Sequence, residues 1–267
     1  MKRLSTLAAP ALAGVVKADT PNGAIAEILN CYYAGADMID LHVNKLDACD
    51  ETALRKIAEA SKLPILALNY STIIDEETRV ASLLRAVEAG VSGIDMQGYT
   101  FHKPSRTEFC GEDRYSFTKN SPREVVTDPG IIQKQCQLIE QVHSKGAEVL
   151  LSCHPGIFMN CEQVVELAQF LEQRNPDIIK IVTVARTEED LPEIIKTMQT
   201  LKKEIKTPVS YHASGEAGML SRILNPILGG QILFSVERYV ADSTFEQLDL
   251  RTARTILDNI KMIYRRG

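Results

Sequence analysis

Short apolar, β-branched runs alternate along this chain with longer stretches whose apolar residues recur at i, i+3, i+4 and i+7. The runs read as strands, and the 3.6-residue stripes read as helices packed on a sheet. The pattern predicts strands at Ala11–Ala18, Met38–Val43, Pro64–Asn69, Val91–Gln97, Glu148–Cys153, Asp177–Val184, Pro208–His212 and Gln231–Ser235. Clear helical stripes are Ile25/Ile28/Leu29/Tyr32, Val80/Leu83/Leu84/Val87, Val164/Leu167/Ala168/Leu171, Leu191/Ile194/Ile195/Met198 and Ala253/Ile256/Leu257/Ile260. Thr187 with Asp190 has the spacing of a capping box, Asn160 suits a helix N-cap, and Gly90 stands where a helix should stop. Eight such strand–helix pairs predict a single (β/α)8 (TIM) barrel over residues 1–267, with a long loop after strand four.

In a barrel of this kind, chemistry gathers at the C-terminal ends of the strands. The polar residues predicted there are Lys17, Asp19, Asp40, His42, Asn44, Asn69, Tyr70, Asp95, Gln97, His154, Lys180, His212 and Ser214. Any one of them could be a hydrogen-bonded filler of the barrel, but their convergence is harder to assign to packing alone. Lys180 in NPDIIKIVTVA and His154 in VLLSCHPG stand out, each within an apolar strand. Desolvation disfavours a charged ammonium, so a lysine inside DIIKIV suggests an amine nucleophile of the kind that forms Schiff bases with ketones and aldehydes. A histidine on the adjacent strand is placed to move the protons that an imine requires.

Composition adds limits rather than direction. The chain has 267 residues, 45% of them hydrophobic, and a formal charge of -5, which offers no general field for nucleic acid or an anionic membrane. No run of about 18 apolar residues occurs, so no membrane span is predicted. The basic start and apolar stretch of the first twenty residues resemble a signal peptide, yet Lys17 and Asp19 close the run and it suits a first strand better. The cysteines at 31, 49, 110, 136, 153 and 161 form no CxxC pair, which fits reduced thiols in a cytoplasmic protein.

One connection breaks the rhythm. Residues 98–130 are far longer than a usual barrel loop and carry His102, Lys103, Arg106, Arg114, Lys119 and Arg123. On the catalytic face such a loop is a candidate lid over an anionic substrate, and equally a solvated excursion or an oligomer contact.

The spacing SxH, then a strand-borne lysine, then a glycine and SR segment resembles type I 3-dehydroquinate dehydratase of the shikimate and quinate pathways. The matching segments are ADMIDLHV, LLSCHPG, PDIIKIV, ASGEAGMLSR and LRTARTIL. The resemblance implies a hydro-lyase that eliminates water from a cyclic β-hydroxy ketone carboxylate through a covalent imine, with no metal or other cofactor. It implies that Lys180 forms the imine, that His154 is the proton shuttle, and that Arg222, beside Ser221, Gly215 and Gly218, binds the substrate carboxylate. Asp40, His42, Tyr70, Asp95, Gln97 and His212 then complete the substrate site. The partner expected is a small anionic keto acid, with a homodimer left open.

The chain also departs from that family. Asp40, His42 and Asn44 replace Glu-x-Arg-x-Asp on strand two, and Tyr70 replaces an arginine after strand three. The acid that orients the histidine aligns with Ile74, beside Asp75, while Gln97 replaces an acid on strand four. Gly230 replaces a serine, and VADSTFEQ replaces a Pro-Gly-Gln loop. The imine machinery is kept and the substrate clamp is rewritten, which leaves the substrate less defined than the reaction type. Other readings are a lysine-imine lyase or aldolase acting on another keto acid or oxidised polyol, a metal-dependent barrel using Asp40, His42, Asp95 and His212, and a non-catalytic relative.

Overall fold

The computed structural model describes residues 3–71, 73–102, 122–241 and 243–264. Its eight strands are β1 (Ala11–Val16), β2 (Met38–His42), β3 (Ile65–Leu68), β4 (Gly93–Gln97), β5 (Glu148–Cys153), β6 (Ile178–Val184), β7 (Val209–Ser214) and β8 (Ile232–Val236). A helix follows each: α1 (Pro21–Tyr33), α2 (Glu51–Ala60), α3 (Glu76–Glu88), α4 (Pro129–Ser144), α5 (Cys161–Glu172), α6 (Leu191–Glu204), α7 (Met219–Ile227) and α8 (Leu250–Tyr264). All strand pairs are parallel, in the order β7-β6-β5-β4-β3-β2-β1-β8. The predicted (β/α)8 barrel is therefore observed.

Side chains hold the seam between β7 and β8. Gln231 N–H donates to Val209 O at 3.0 Å, after which the Ser210 hydroxyl takes over, accepting from Ile232 N–H at 2.8 Å. Asn225 of α7 accepts from Tyr211 N–H at 3.0 Å and donates to Ile232 O at 3.2 Å. These partners satisfy backbone groups that would otherwise be unpaired in a buried seam.

Strand alternation separates two cores. One face of each strand packs on the helices, as with Leu12, Val16, Ile39, Leu41, Ile94, Met96, Val149, Leu151, Ile179 and Ile181. The other lines the barrel, where Leu4, Ala11, Ala13, Met38, Leu66, Leu150, Ile178 and Ile232 form a dry lower layer. Each fully buried aliphatic side chain contributes roughly 1.5–3 kcal/mol. The segment before β1 caps the lower end: Leu4 is buried, and the Leu4 and Ser5 amides and the Ser5 hydroxyl donate to Glu148. With that end closed and apolar, the inward positions nearer the strands' C-terminal ends hold the polar groups.

Helix boundaries follow from their caps. Asn160 makes a full capping box with Gln163, Thr187 does so with Asp190, and Gly90 takes a left-handed φ of 105° just past α3. The stripe expected for α1 is displaced, because Ala24, Ile28 and Cys31 face the sheet and Tyr32 is exposed. The reason is close approach to β1: a Cβ on Gly14 would lie 2.7 Å from Cys31 Sγ, so only small side chains fit beneath the helix. His143 of α4 is half-buried and pairs with Asp177 at 2.7 Å.

Candidate active site

Lys180 lies on the inner face of β6 because its neighbours Ile179 and Ile181 belong to the outer core. Its Nζ stands 4.0 Å from Asp95 Oδ2 and 4.8 Å above the Phe234 ring. Asp95 is fully buried on β4, where Oδ1 accepts from Ser152 Oγ at 2.5 Å and Gln97 Nε2 at 3.3 Å. These donors leave Oδ2 turned to the lysine. One carboxylate thus faces one amine in a mostly dry layer, an arrangement that fixes the amine's position.

His154 follows β5, two residues after Ser152, which is the register partner of Lys180. A single carboxylate oxygen, Glu124 Oε2, accepts from both its backbone N–H at 2.7 Å and its ring Nδ1 at 2.9 Å. Because a carboxylate accepts and does not donate, the contact places the ring proton on Nδ1 and leaves Nε2 as the basic nitrogen. Tyr70 packs edge-on against the same ring, centroids 5.8 Å apart.

Glu124 itself was not predicted. Asp75, next to the position where the orienting acid was expected, instead N-caps α3 through Thr78 at the surface. Glu124 arrives from the return of the long loop, with a left-handed φ of 68°, and its carbonyl lies where a Cβ on Gly98 would be. Val125 and Val126 anchor that return by burial, and Arg174 donates to Val126 O at 2.9 Å. A valine pair closing an otherwise polar loop was the available signal. Of the basic residues expected in the loop, His102 and Arg123 are described; Lys103, Arg106, Arg114 and Lys119 lie outside the described residues.

A cavity of about 330 Å³ opens above Lys180 at the strands' C-terminal ends. Lys17, Asp40, His42, Tyr70, Arg123, Glu124, His154, Lys180, His212 and Arg222 border it, with Val15, Leu68, Val182 and Phe234 as apolar wall and Thr244 and Gln247 from the segment after β8. Ser221, Gln97 and Asp95, all predicted as substrate contacts, lie outside this lining, Asp95 meeting Lys180 from beneath it. Ser221 accepts from Ala213 N–H at 2.8 Å and donates to Gly218 O, shaping the turn into α7. Gln97 joins Asp95 to the buried Arg79. Among the described residues, no group of three or more His, Cys, Asp or Glu is placed to hold a metal ion.

The field in the cavity is set chiefly by burial. Burial pushes the Asp40 carboxyl up to about 7; nearby Lys180 and Lys17 oppose this, and Asp95 adds to it. Burial, followed by the neighbouring Arg222 and Lys180 charges and the His154 ring, holds His212 well below the usual histidine range, so it is neutral. Burial and then the charges of Asp95 and Glu124 push the Tyr70 phenol well above its ordinary value.

Asp40 therefore carries a stability prediction. An unfolded aspartate loses its proton near 3.8 and the folded one near 7, so between these values the folded chain holds the extra proton and stability falls as pH rises. Asp40→Asn removes that dependence. In urea unfolding, the variant is expected to gain on the wild type between pH 4.5 and pH 8, by on the order of a few kcal/mol. Parallel curves for the two proteins across that range would contradict the assignment.

A family model for type I 3-dehydroquinase matches residues 127–264, just over half of the chain. The chain belongs to the type I 3-dehydroquinase family. The match takes in β5 to β8, and hence His154, Lys180, His212 and Arg222. The 3-dehydroquinate dehydratase of Coxiella burnetii is 31% identical over 97 residues, covering 35% of this chain and 40% of that protein. That of Alkaliphilus oremlandii is 29% identical over 105 residues, covering 38% and 40% respectively. The matched segments thus span well under two thirds of these family members. Among solved structures, 3-dehydroquinate dehydratase from Geobacillus kaustophilus superposes with a TM-score of 0.75 at 13% identity, covering 95% of this chain and 91% of that one. The Enterococcus faecalis protein gives 0.72 at 14% identity, covering 97% and 99%. At such identities the likeness concerns the fold, and it extends the family's barrel across the half of the chain that the family model does not match.

Proposed function

We propose that this family member is a Schiff-base dehydratase that eliminates water from a cyclic β-hydroxy ketone carboxylate, with 3-dehydroquinate the substrate of choice. The observation that carries the reading is the pairing of Lys180 on β6 with His154 just past β5: both border one cavity, and Glu124 commits His154 Nδ1 so that Nε2 is the base.

In this reading the Lys180 amine attacks the ketone carbon and water leaves, giving an iminium. Its positive nitrogen withdraws electrons from the neighbouring C–H bond, so a base of moderate strength can take that proton. His154 Nε2 takes it, and the electron pair moves into the iminium to give an enamine. The enamine then expels the β-hydroxyl, which departs as water with the proton from His154. Hydrolysis of the conjugated iminium frees Lys180 and the enone, so the net change is loss of one water from the substrate. The imine is the electron sink, and the mechanism calls on no cofactor.

Asp95, 4.0 Å from Nζ, balances the positive nitrogen, and Arg222 meets the substrate carboxylate. Glu124 stabilises the imidazolium that forms on His154. Glu124→Gln keeps an acceptor but removes the charge, so kcat is expected to fall roughly ten- to a hundredfold, with a smaller change in KM. An unchanged kcat would remove Glu124 from the mechanism.

The test of the reaction is incubation with 3-dehydroquinate while following the absorbance of the conjugated enone. Absence of that absorbance, together with Lys180-dependent cleavage of another keto acid into two fragments, would replace the dehydratase with a lyase.

A further inference from the structure

The arginine expected to hold the substrate carboxylate already has a carboxylate partner. Arg222 Nη2 donates to Glu246 Oε2 at 2.6 Å, and the other oxygen of Glu246 accepts from the Gly215 amide at 2.9 Å. Arg222 Nε, by contrast, is buried and has no hydrogen-bond partner among the described residues. Glu246 belongs to the segment between β8 and α8, whose described part is residues 237–241 and 243–249. The stacked rings of Tyr239 and Phe245, 6.1 Å apart, and the Tyr239 hydroxyl donating to Gln247 O at 2.6 Å hold that segment compact. Thr244 and Gln247 on either side of Glu246 border the cavity, as does Arg222, whereas Glu246 meets the guanidinium from outside it.

We propose that Glu246 is a specificity-determining and positioning residue: it latches this segment to the β7–α7 turn and shares the Arg222 guanidinium with the ligand's carboxylate. The inference takes from the proposed function only the place of that carboxylate. Sharing has two effects of opposite sign. The ion pair fixes the orientation of the guanidinium where it borders the cavity, which favours a ligand whose planar carboxylate matches that orientation. The charge of Glu246 also repels a second carboxylate on the same guanidinium, so affinity for the acid is lower than an unpaired arginine would give. The site therefore discriminates by geometry more than by charge, and a ligand with a neutral group in the carboxylate's place is penalised less than in a site with an unpaired arginine.

Glu246→Gln separates the two effects, since the amide oxygen can still accept from Arg222 or Gly215 while the charge is gone. The probes are quinate, which has a ring and carboxylate but no ketone to form an imine, and its neutral carboxamide. Calorimetry on the full chain is expected to show quinate binding about fivefold tighter in Glu246→Gln than in wild type, with the carboxamide unchanged. Because neither probe reacts, the result stands apart from whether the protein dehydrates 3-dehydroquinate. Quinate binding that is equal or weaker in the variant, equal tightening of both probes, or quinate binding by neither protein overturns the proposal.

Discussion

Replacing Lys180 with methionine is expected to reduce turnover of 3-dehydroquinate to background, a loss on the order of 10^5-fold or more, and to abolish covalent trapping by borohydride. Methionine keeps most of the side-chain length beside the Phe234 ring, above which Lys180 Nζ stands at 4.8 Å. It also leaves Asp95, fully buried and turned to the missing ammonium, without a cation. An uncompensated buried carboxylate is costly, so some loss of Tm is expected in Lys180→Met alone. The double variant Lys180→Met, Asp95→Asn removes both charges and should recover the fold without the activity. Residual turnover in either variant, measured with excess substrate over a long incubation, would mean that the amine is not the nucleophile.

His154→Ala is the second large effect, and its signature is a separation of two steps. In the proposed mechanism imine formation requires Lys180, while proton removal and departure of the hydroxyl require His154. The variant should therefore still accumulate a trappable adduct, while the enone forms about 10²- to 10⁴-fold more slowly. Loss of the ring also frees Glu124 and removes the edge contact to Tyr70, so a control is needed that keeps an aromatic or amide shape. His154→Gln serves. It can still donate to Glu124 but offers no base, and it should match the alanine variant in rate. If the glutamine variant retains activity, the histidine acts by positioning rather than by moving protons.

The fold was legible because its signal is periodic. β-Branched runs such as DIIKIV repeat eight times and amphipathic stretches such as Val80/Leu83/Leu84/Val87 are clear in five of the helices between them, and burial of those residues is what the barrel consists of. Where packing is tight enough to demand small side chains, the pattern misleads: α1 turns Ala24 and Cys31 to Gly14 and leaves Tyr32 outside. The pair proposed to react also stood out, since a lysine inside one apolar strand and a histidine at the end of its neighbour conflict with local hydrophobicity and so need a reason. Glu124 and Glu246 were not. Both are on irregular segments with no periodicity, and each acquires its meaning only by meeting a residue distant in sequence, His154 in one case and Arg222 in the other. Alignment with the family pattern pointed to the neighbourhood of Asp75 because it assumed that the orienting acid arrives from strand three; here it arrives from the return of the loop after strand four.

The central claim is a covalent imine at Lys180, and peptide mass after borohydride reduction tests it most directly. The protein is incubated with 3-dehydroquinate, reduced, and digested with trypsin. Reduction makes Lys180 a secondary amine that trypsin does not cleave after, so residues 175–186, NPDIIKIVTVAR, should appear as one peptide carrying the mass of the reduced adduct. The same digest without substrate should give the two shorter peptides that end at Lys180 and Arg186. An adduct on any other lysine, or enone produced with no adduct at all, would contradict the account.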